Sequence, residues 1–110
     1  MFVKLDGRDV LVVGAGRVGE PKIRGLLAPG ARIRVVAREA SHTVRQWAIN
    51  GEINLEERIF VPSDLDNVFL VVVATSSRDV NQMIYDEAQS RRILCNVVDV
   101  PEQCDFYYPA

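Results

Sequence analysis

Six consecutive residues, Gly14-Ala15-Gly16-Arg17-Val18-Gly19, follow the pattern G-x-G-x-x-G. Glycine at those spacings suits the cradling of a diphosphate by bare backbone. Each glycine has its own reason in that chemistry. Gly14 permits a tight turn, Gly16 lets backbone N–H groups approach a pyrophosphate with no Cβ between, and Gly19 lets a helix pack closely on a strand. The helix that opens at the loop then turns its positive end toward the phosphates. The competing reading is a glycine turn kept for packing alone.

About 20 residues beyond such a loop, a dinucleotide site places an acid on the ribose 2′-hydroxyl of NAD, or an arginine on the 2′-phosphate of NADP. Arg38 and Glu39 offer both. The acid favours NAD, and the residues alone leave the choice open. Two solvent-facing side chains before a helix cap are the third reading. Further along, Asn96-Val97-Val98-Asp99 ends an apolar run with a carboxylate. A carboxylate at the end of a strand can exchange a proton while a nicotinamide takes a hydride, although an acid at such a place is often only a loop cap. Thr75 follows another apolar run and falls at the same rim. Asn96, inside its run, needs buried hydrogen-bond partners.

These residues are 85 positions apart at the extremes, so a fold must gather them. Val10-Leu11-Val12-Val13 reads as a strand buried on both faces. Val18, Ile23, Leu26 and Leu27 fall near helical spacing, and Pro29-Gly30 ends that helix. Pro21 lies in its first turns and predicts a late start or a kink. Ile33 to Ala37 is a second strand. Ser41 caps a helix with Val44, Trp47 and Ala48 on one face, ended by Asn50-Gly51. Ile53 to Phe60 is a weaker strand, interrupted by Glu56-Glu57-Arg58, and belongs at a sheet edge. Val68 to Ala74 is the clearest strand. Ser76 and Asp79 have capping-box spacing before a helix that turns Val80, Met83, Ile84 and Ala88 inward. Ile93 to Val98 is the last strand. Strands alternating with helices at this density imply right-handed crossovers and an α/β, Rossmann-like, doubly wound parallel sheet of five strands in the order 3-2-1-4-5. Its ligand crevice lies beyond the carboxyl ends of the strands, where Gly14, Thr75 and Asp99 converge.

Size and charge agree with one such domain, residues 1–110. The 110 residues are 48% apolar and 25% charged, with a net charge of −2, which gives nucleic-acid binding no electrostatic support. Residues 1–38 carry eight basic and three acidic side chains, a net +5, and residues 39–110 carry five and twelve, a net −7. A basic first third suits a phosphate ligand, and solvated helix faces explain it equally well. No apolar run reaches the roughly 18–20 residues of a membrane span. Met1 to Asp6 shows no secretory pattern. Cys95 and Cys104 have no metal-binding spacing. A cytoplasmic protein with reduced thiols and no metal site is expected. His42, Trp47 and Arg91-Arg92 are assigned structural places.

The run from Val10 to Pro109 closely resembles the N-terminal NAD-binding domain of the precorrin-2 dehydrogenase and sirohydrochlorin ferrochelatase family, found in siroheme synthase. The resemblance rests on Val13 to Gly19 with Lys22-Ile23, on Val35-Val36-Ala37 with Glu39, and on Ala74-Thr75-Ser76-Ser77-Arg78-Asp79-Val80-Asn81. Most specific is Cys95-Asn96-Val97-Val98-Asp99 with Pro101-Glu102 and Cys104. It implies an NAD-dependent oxidation of precorrin-2 to sirohydrochlorin, with Asp99 as general acid/base, and in some members iron insertion, a lyase activity, by the same acid. It assigns NAD to the loop Gly14, Ala15, Gly16, Arg17, Val18 and Gly19, with Thr75 on the nicotinamide side; Arg38, Glu39 and Asn96 are the further candidates for cofactor contact. Ser76-Ser77 stands where the family usually has an acidic pair, Arg38 where it often has Pro, and Pro21 where it commonly has a basic residue.

Members of that family continue past the position of Ala110 into a dimerisation region and a small helical domain. The resemblance therefore implies either a piece of a longer homodimeric enzyme or a reduced relative that binds NAD without turnover. The alternative function is a non-catalytic nucleotide-sensing module of the potassium-transport type, which shares the Gly-x-Gly-Arg-Val-Gly loop. That class commonly ends its second strand in Asp and lacks the string at residues 95–104.

Overall fold

Val10, Leu11, Val12 and Val13 are each at most 3% exposed, because the strand they form has helices on both sides. The computed structural model describes residues 5–98, which form β1 (Asp9–Ala15), α1 (Gly19–Leu27), β2 (Arg32–Ala40), α2 (His42–Ile49), β3 (Asn54–Glu57), a 3-10 turn (Pro62–Leu65), β4 (Leu70–Val73), α3 (Arg78–Ser90) and β5 (Leu94–Val97). The sheet is parallel throughout, in the order β3-β2-β1-β4-β5. This is the doubly wound topology that strand–helix alternation predicts, with the weak, interrupted strand at an edge.

Alternate residues of the central strands feed two cores. Val10, Val12, Val35, Leu70 and Val72 pack with Ile23 and Leu26 of α1 and Val44 of α2. On the opposite face Leu11, Val13, Val71, Val73, Cys95 and Val97 pack with Leu65 and with Ile84 and Ala88 of α3. Each fully buried Leu, Ile or Val contributes about 1.5–3 kcal/mol, so the continuous apolar runs dictate the layering.

Three local expectations are corrected. Pro21 neither delays nor kinks α1, which runs unbroken from Gly19 with Val18 as N-cap. Pro21 is the third helical residue, where an N–H has no partner within the helix in any case. The carbonyl a proline ring would clash with, four residues back, belongs here to Arg17, which precedes the helix. The cap of α3 is Ser77, whose hydroxyl accepts from Val80 N–H at 3.2 Å, so the box built on Ser76 and Asp79 does not form. Val18 and Met83 are not core residues: they are 44% and 39% exposed. By contrast Ser41 caps α2 as expected, accepting from Val44 N–H, and its hydroxyl also donates to Glu20 of α1 at 2.7 Å. Arg92, at φ 57°, ends α3 in a place that usually takes glycine. Its N–H donates to the Gln89 carbonyl and that of Ile93 to Ala88.

Candidate dinucleotide site

The register of the sheet puts the carboxyl ends of the strands level. Val13 lies opposite both Val36 and Val73, and Val73 opposite Val97. Beyond this rim opens a cavity of about 720 Å³, within the range of small-molecule sites. Four segments wall it, one from the end of each of four neighbouring strands: Gly14–Val18, Val36–Glu39, Arg58–Phe60 and Ala74–Ser77.

The glycine loop forms the first wall, and its three glycines differ. Gly14 has φ +106°, and a Cβ there would stand 2.5 Å from the Ala74 carbonyl oxygen. A Cβ on Gly19 would stand 2.2 Å from the Gly14 carbonyl oxygen, so glycine is what lets α1 start against the end of β1. Both positions are explained by the protein's own packing. Gly16 is not. Its φ is not in the left-handed region, and an added Cβ would meet nothing within 4 Å. Neither backbone conformation nor packing requires a glycine there, yet it lines the cavity. The space a side chain would take at Gly16 is left open on the cavity wall. The N-terminus of α1, unlike those of α2 and α3, has no side-chain cap, which leaves its dipole end for an anion. The residues present thus fit a dinucleotide diphosphate.

A break in register shapes the second wall. Val13 pairs with Val36 but Ala15 with Ala40, so β2 carries two more residues than β1 over that interval and arches outward. Arg38 and Glu39 ride on this arch, exposed and lining the cavity. They lie within β2, whereas the expected strand ended at Ala37. The Arg38 side chain makes no hydrogen bond or ion pair among the described residues. Glu39 lies close enough to Arg45 to favour the charge of its guanidinium, which Glu57 chiefly holds above its ordinary pKa through hydrogen bonding.

Thr75 lines the fourth wall, but its hydroxyl serves the loop. It accepts from Ser77 N–H at 3.1 Å and bonds the Asn81 side-chain oxygen, while Asn81 Nδ2 donates back to the Thr75 carbonyl. Thr75 therefore offers the cavity a fixed contour. Asn96 is buried in β5 opposite Val72 and does not line this cavity. Asp99 lies outside the described residues, as do Cys104 and the segment 101–110. Val98 N–H donates to the Val73 carbonyl at 2.9 Å, so the last described residue stands beside the end of β4.

The third wall is absent from the sequence expectations. Arg58 follows β3 and makes a bidentate pair with Asp64 (Nη1–Oδ2 2.9 Å, Nη2–Oδ1 2.7 Å). Asp64 also accepts from Arg34 at 2.6 Å and from Val61 N–H at 2.9 Å. Its side chain is only 4% exposed. The Arg58 hydrogen bonds, with those of Val61 and the charge of Arg34, hold its carboxyl below the usual carboxylate range despite burial. The polar interruption Glu56-Glu57-Arg58 was the available signal: a charged residue beside a buried Phe60 needs a partner.

A family model described as NAD(P)-binding matches residues 1–110. The chain belongs to that family. The chain is 42% identical over 110 residues to siroheme synthase 2 of Klebsiella pneumoniae subsp. pneumoniae, covering all of this chain and 24% of that protein. It is 43% identical over the same span to a siroheme synthase of Salmonella paratyphi A, again 24% of the relative. It spans about a quarter of the length of these curated relatives. Among solved structures, SirC, precorrin-2 dehydrogenase, superposes with a TM-score of 0.84 at 32% identity, over 100% of this chain and 54% of that one. A Granulicella formate dehydrogenase, at TM-score 0.63 and 15% identity, covering 94% of this chain and 27% of that one, shares the fold. The family's cofactor class fits the unexplained Gly16, the uncapped helix and the arch at Arg38–Glu39.

Proposed function

We propose that the chain is the NAD-binding domain of a precorrin-2 dehydrogenase, oxidising precorrin-2 to sirohydrochlorin as part of a cytoplasmic, homodimeric full-length enzyme. The observation that carries the nucleotide half is Gly16, a glycine with no structural reason inside the protein. The substrate half is supported by the siroheme synthase relatives and by the SirC likeness.

In this reading NAD supplies the hydride acceptor. Backbone N–H groups of Gly14–Gly19 hold the diphosphate, and the α1 dipole supports its charge. Glu39 accepts from the ribose hydroxyls, and the Ala74–Ser77 turn, stiffened by Asn81, bounds the other end of the cavity. Asp99 takes the proton that leaves the tetrapyrrole carbon framework as the hydride departs. A carboxylate acting in this way contributes about 100-fold or more in rate. Asp99→Ala in the full-length form is therefore expected to lower precorrin-2 oxidation by about 100-fold with NAD affinity nearly unchanged; normal turnover would remove Asp99 from the mechanism.

Cofactor choice has its own test. Titration of the chain is expected to show NAD bound more tightly than NADP, because the Glu39 carboxylate repels a 2′-phosphate. The opposite order would make Arg38, which has no carboxylate partner, the discriminating residue, and Arg38→Ala would then restore the preference for NAD.

A further inference from the structure

We infer that Arg58 is a stacking platform for the adenine ring of the dinucleotide, a role that rests on the nucleotide reading above and extends it to the base. The topology orders the cavity. The glycine loop follows β1 and the Arg38–Glu39 arch belongs to β2, so a diphosphate at the first and a ribose at the second point the base onward to the end of β3. That wall is Arg58, Ile59 and Phe60.

The guanidinium of Arg58 has five N–H donors in one plane, and carboxylate or carbonyl oxygens occupy every nitrogen. Nε faces Glu56 Oε1 at 3.4 Å, Nη1 reaches the Ile59 carbonyl at 3.1 Å and Asp64 Oδ2 at 2.9 Å, and Nη2 reaches Asp64 Oδ1 at 2.7 Å and Glu56 Oε1 at 3.2 Å. Asp64 and Glu56 also balance the charges of Arg58 and Arg34. The in-plane edge and the charge of Arg58 are thus both committed within the protein, yet its side chain remains 38% exposed on the cavity wall. What it has left to offer is a flat, weakly hydrated π face, and such a face is suited to an aromatic ring. Ile59, 69% exposed, adds apolar surface beside it. A phosphate ligand would instead need free N–H donors.

The test compares NAD, ADP-ribose and nicotinamide mononucleotide binding to the 110-residue chain. Arg58→Met and Arg58→Lys, the latter keeping a cation on Asp64, are each expected to weaken NAD and ADP-ribose about tenfold and to leave nicotinamide mononucleotide unchanged. In the wild-type chain, ADP-ribose is expected to shift the Arg58 side-chain δ protons upfield by ring current, a signature that a structural role alone would not give. Unchanged ADP-ribose affinity in folded Arg58→Lys, or no such shift on saturation, overturns the proposal while leaving the nucleotide site standing. Failure of the wild-type chain to bind NAD or ADP-ribose at all overturns the nucleotide reading itself, and this inference with it.

Discussion

Gly16→Val is expected to lower NAD affinity by at least about 100-fold while leaving the fold intact. Hydrogen bonds to a charged phosphate are worth about 1.5–3 kcal/mol each. A side chain that holds the diphosphate off two of them reaches that factor. The fold should not notice, since a Cβ at Gly16 meets nothing within 4 Å and its φ is not in the left-handed region. Replacing such a glycine can even stabilise by restricting the unfolded chain. Gly19→Ala is the contrasting control. Its Cβ would lie 2.2 Å from the Gly14 carbonyl oxygen, so α1 must move off β1, at a cost of roughly 3 kcal/mol, typical of severe overpacking. Equilibrium binding and thermal unfolding, measured on both variants, separate the two roles. Wild-type affinity in Gly16→Val would show that the loop serves packing alone.

Asp64→Asn is expected to destabilise the domain by about 2–3 kcal/mol at neutral pH. Breaking a buried ion pair by removing one partner costs about 3–5 kcal/mol. Here the cost is reduced because Arg34 and Arg58 are 34% and 38% exposed and can hydrate. The pH dependence follows from the depressed carboxyl of Asp64. A carboxyl held below its unfolded value stabilises fully above that value, about 3.9. It loses the contribution as pH falls through the lower folded one. Glu57, drawn down chiefly by its hydrogen bond to Arg45, adds to the same acid limb. The gap in unfolding free energy between wild type and Asp64→Asn should therefore be constant from pH 5 to 8 and close progressively below about pH 4. Denaturant unfolding across that range checks it. A gap that persisted undiminished at the acid end would mean that the carboxylate's charge is not what Arg58 and Arg34 hold.

The acid limb bears on the site as well as on stability. Asp64 fixes Arg58, and Arg58 with Ile59 and Phe60 forms one cavity wall. Loss of the pair should loosen that wall before the sheet unfolds, because β3 is a short edge strand and, of its four residues, only Leu55 is partly buried.

Strands β1, β4 and β5, their order in the sheet, and the glycine loop at the first crossover were legible in the amino-acid sequence because each is encoded locally. An uninterrupted apolar run has one stable destination, between two layers of helices, and right-handed crossovers then leave few arrangements. The division of labour among the glycines was legible only in outline. That Gly19 packs on Gly14 while Gly16 faces open space depends on where α1 meets β1. Tertiary structure alone decided the Arg38–Glu39 arch, which arises from a register break between β1 and β2, and the choice of Ser77 over Ser76 as a cap, which depends on where α3 begins. It alone decided the wall at Arg58 too. Charged residues are plentiful and interchangeable along the chain, and Arg34 and Asp64 are 30 positions apart. Which carboxylate an arginine finds is settled by distance in the folded chain, and no local pattern records it.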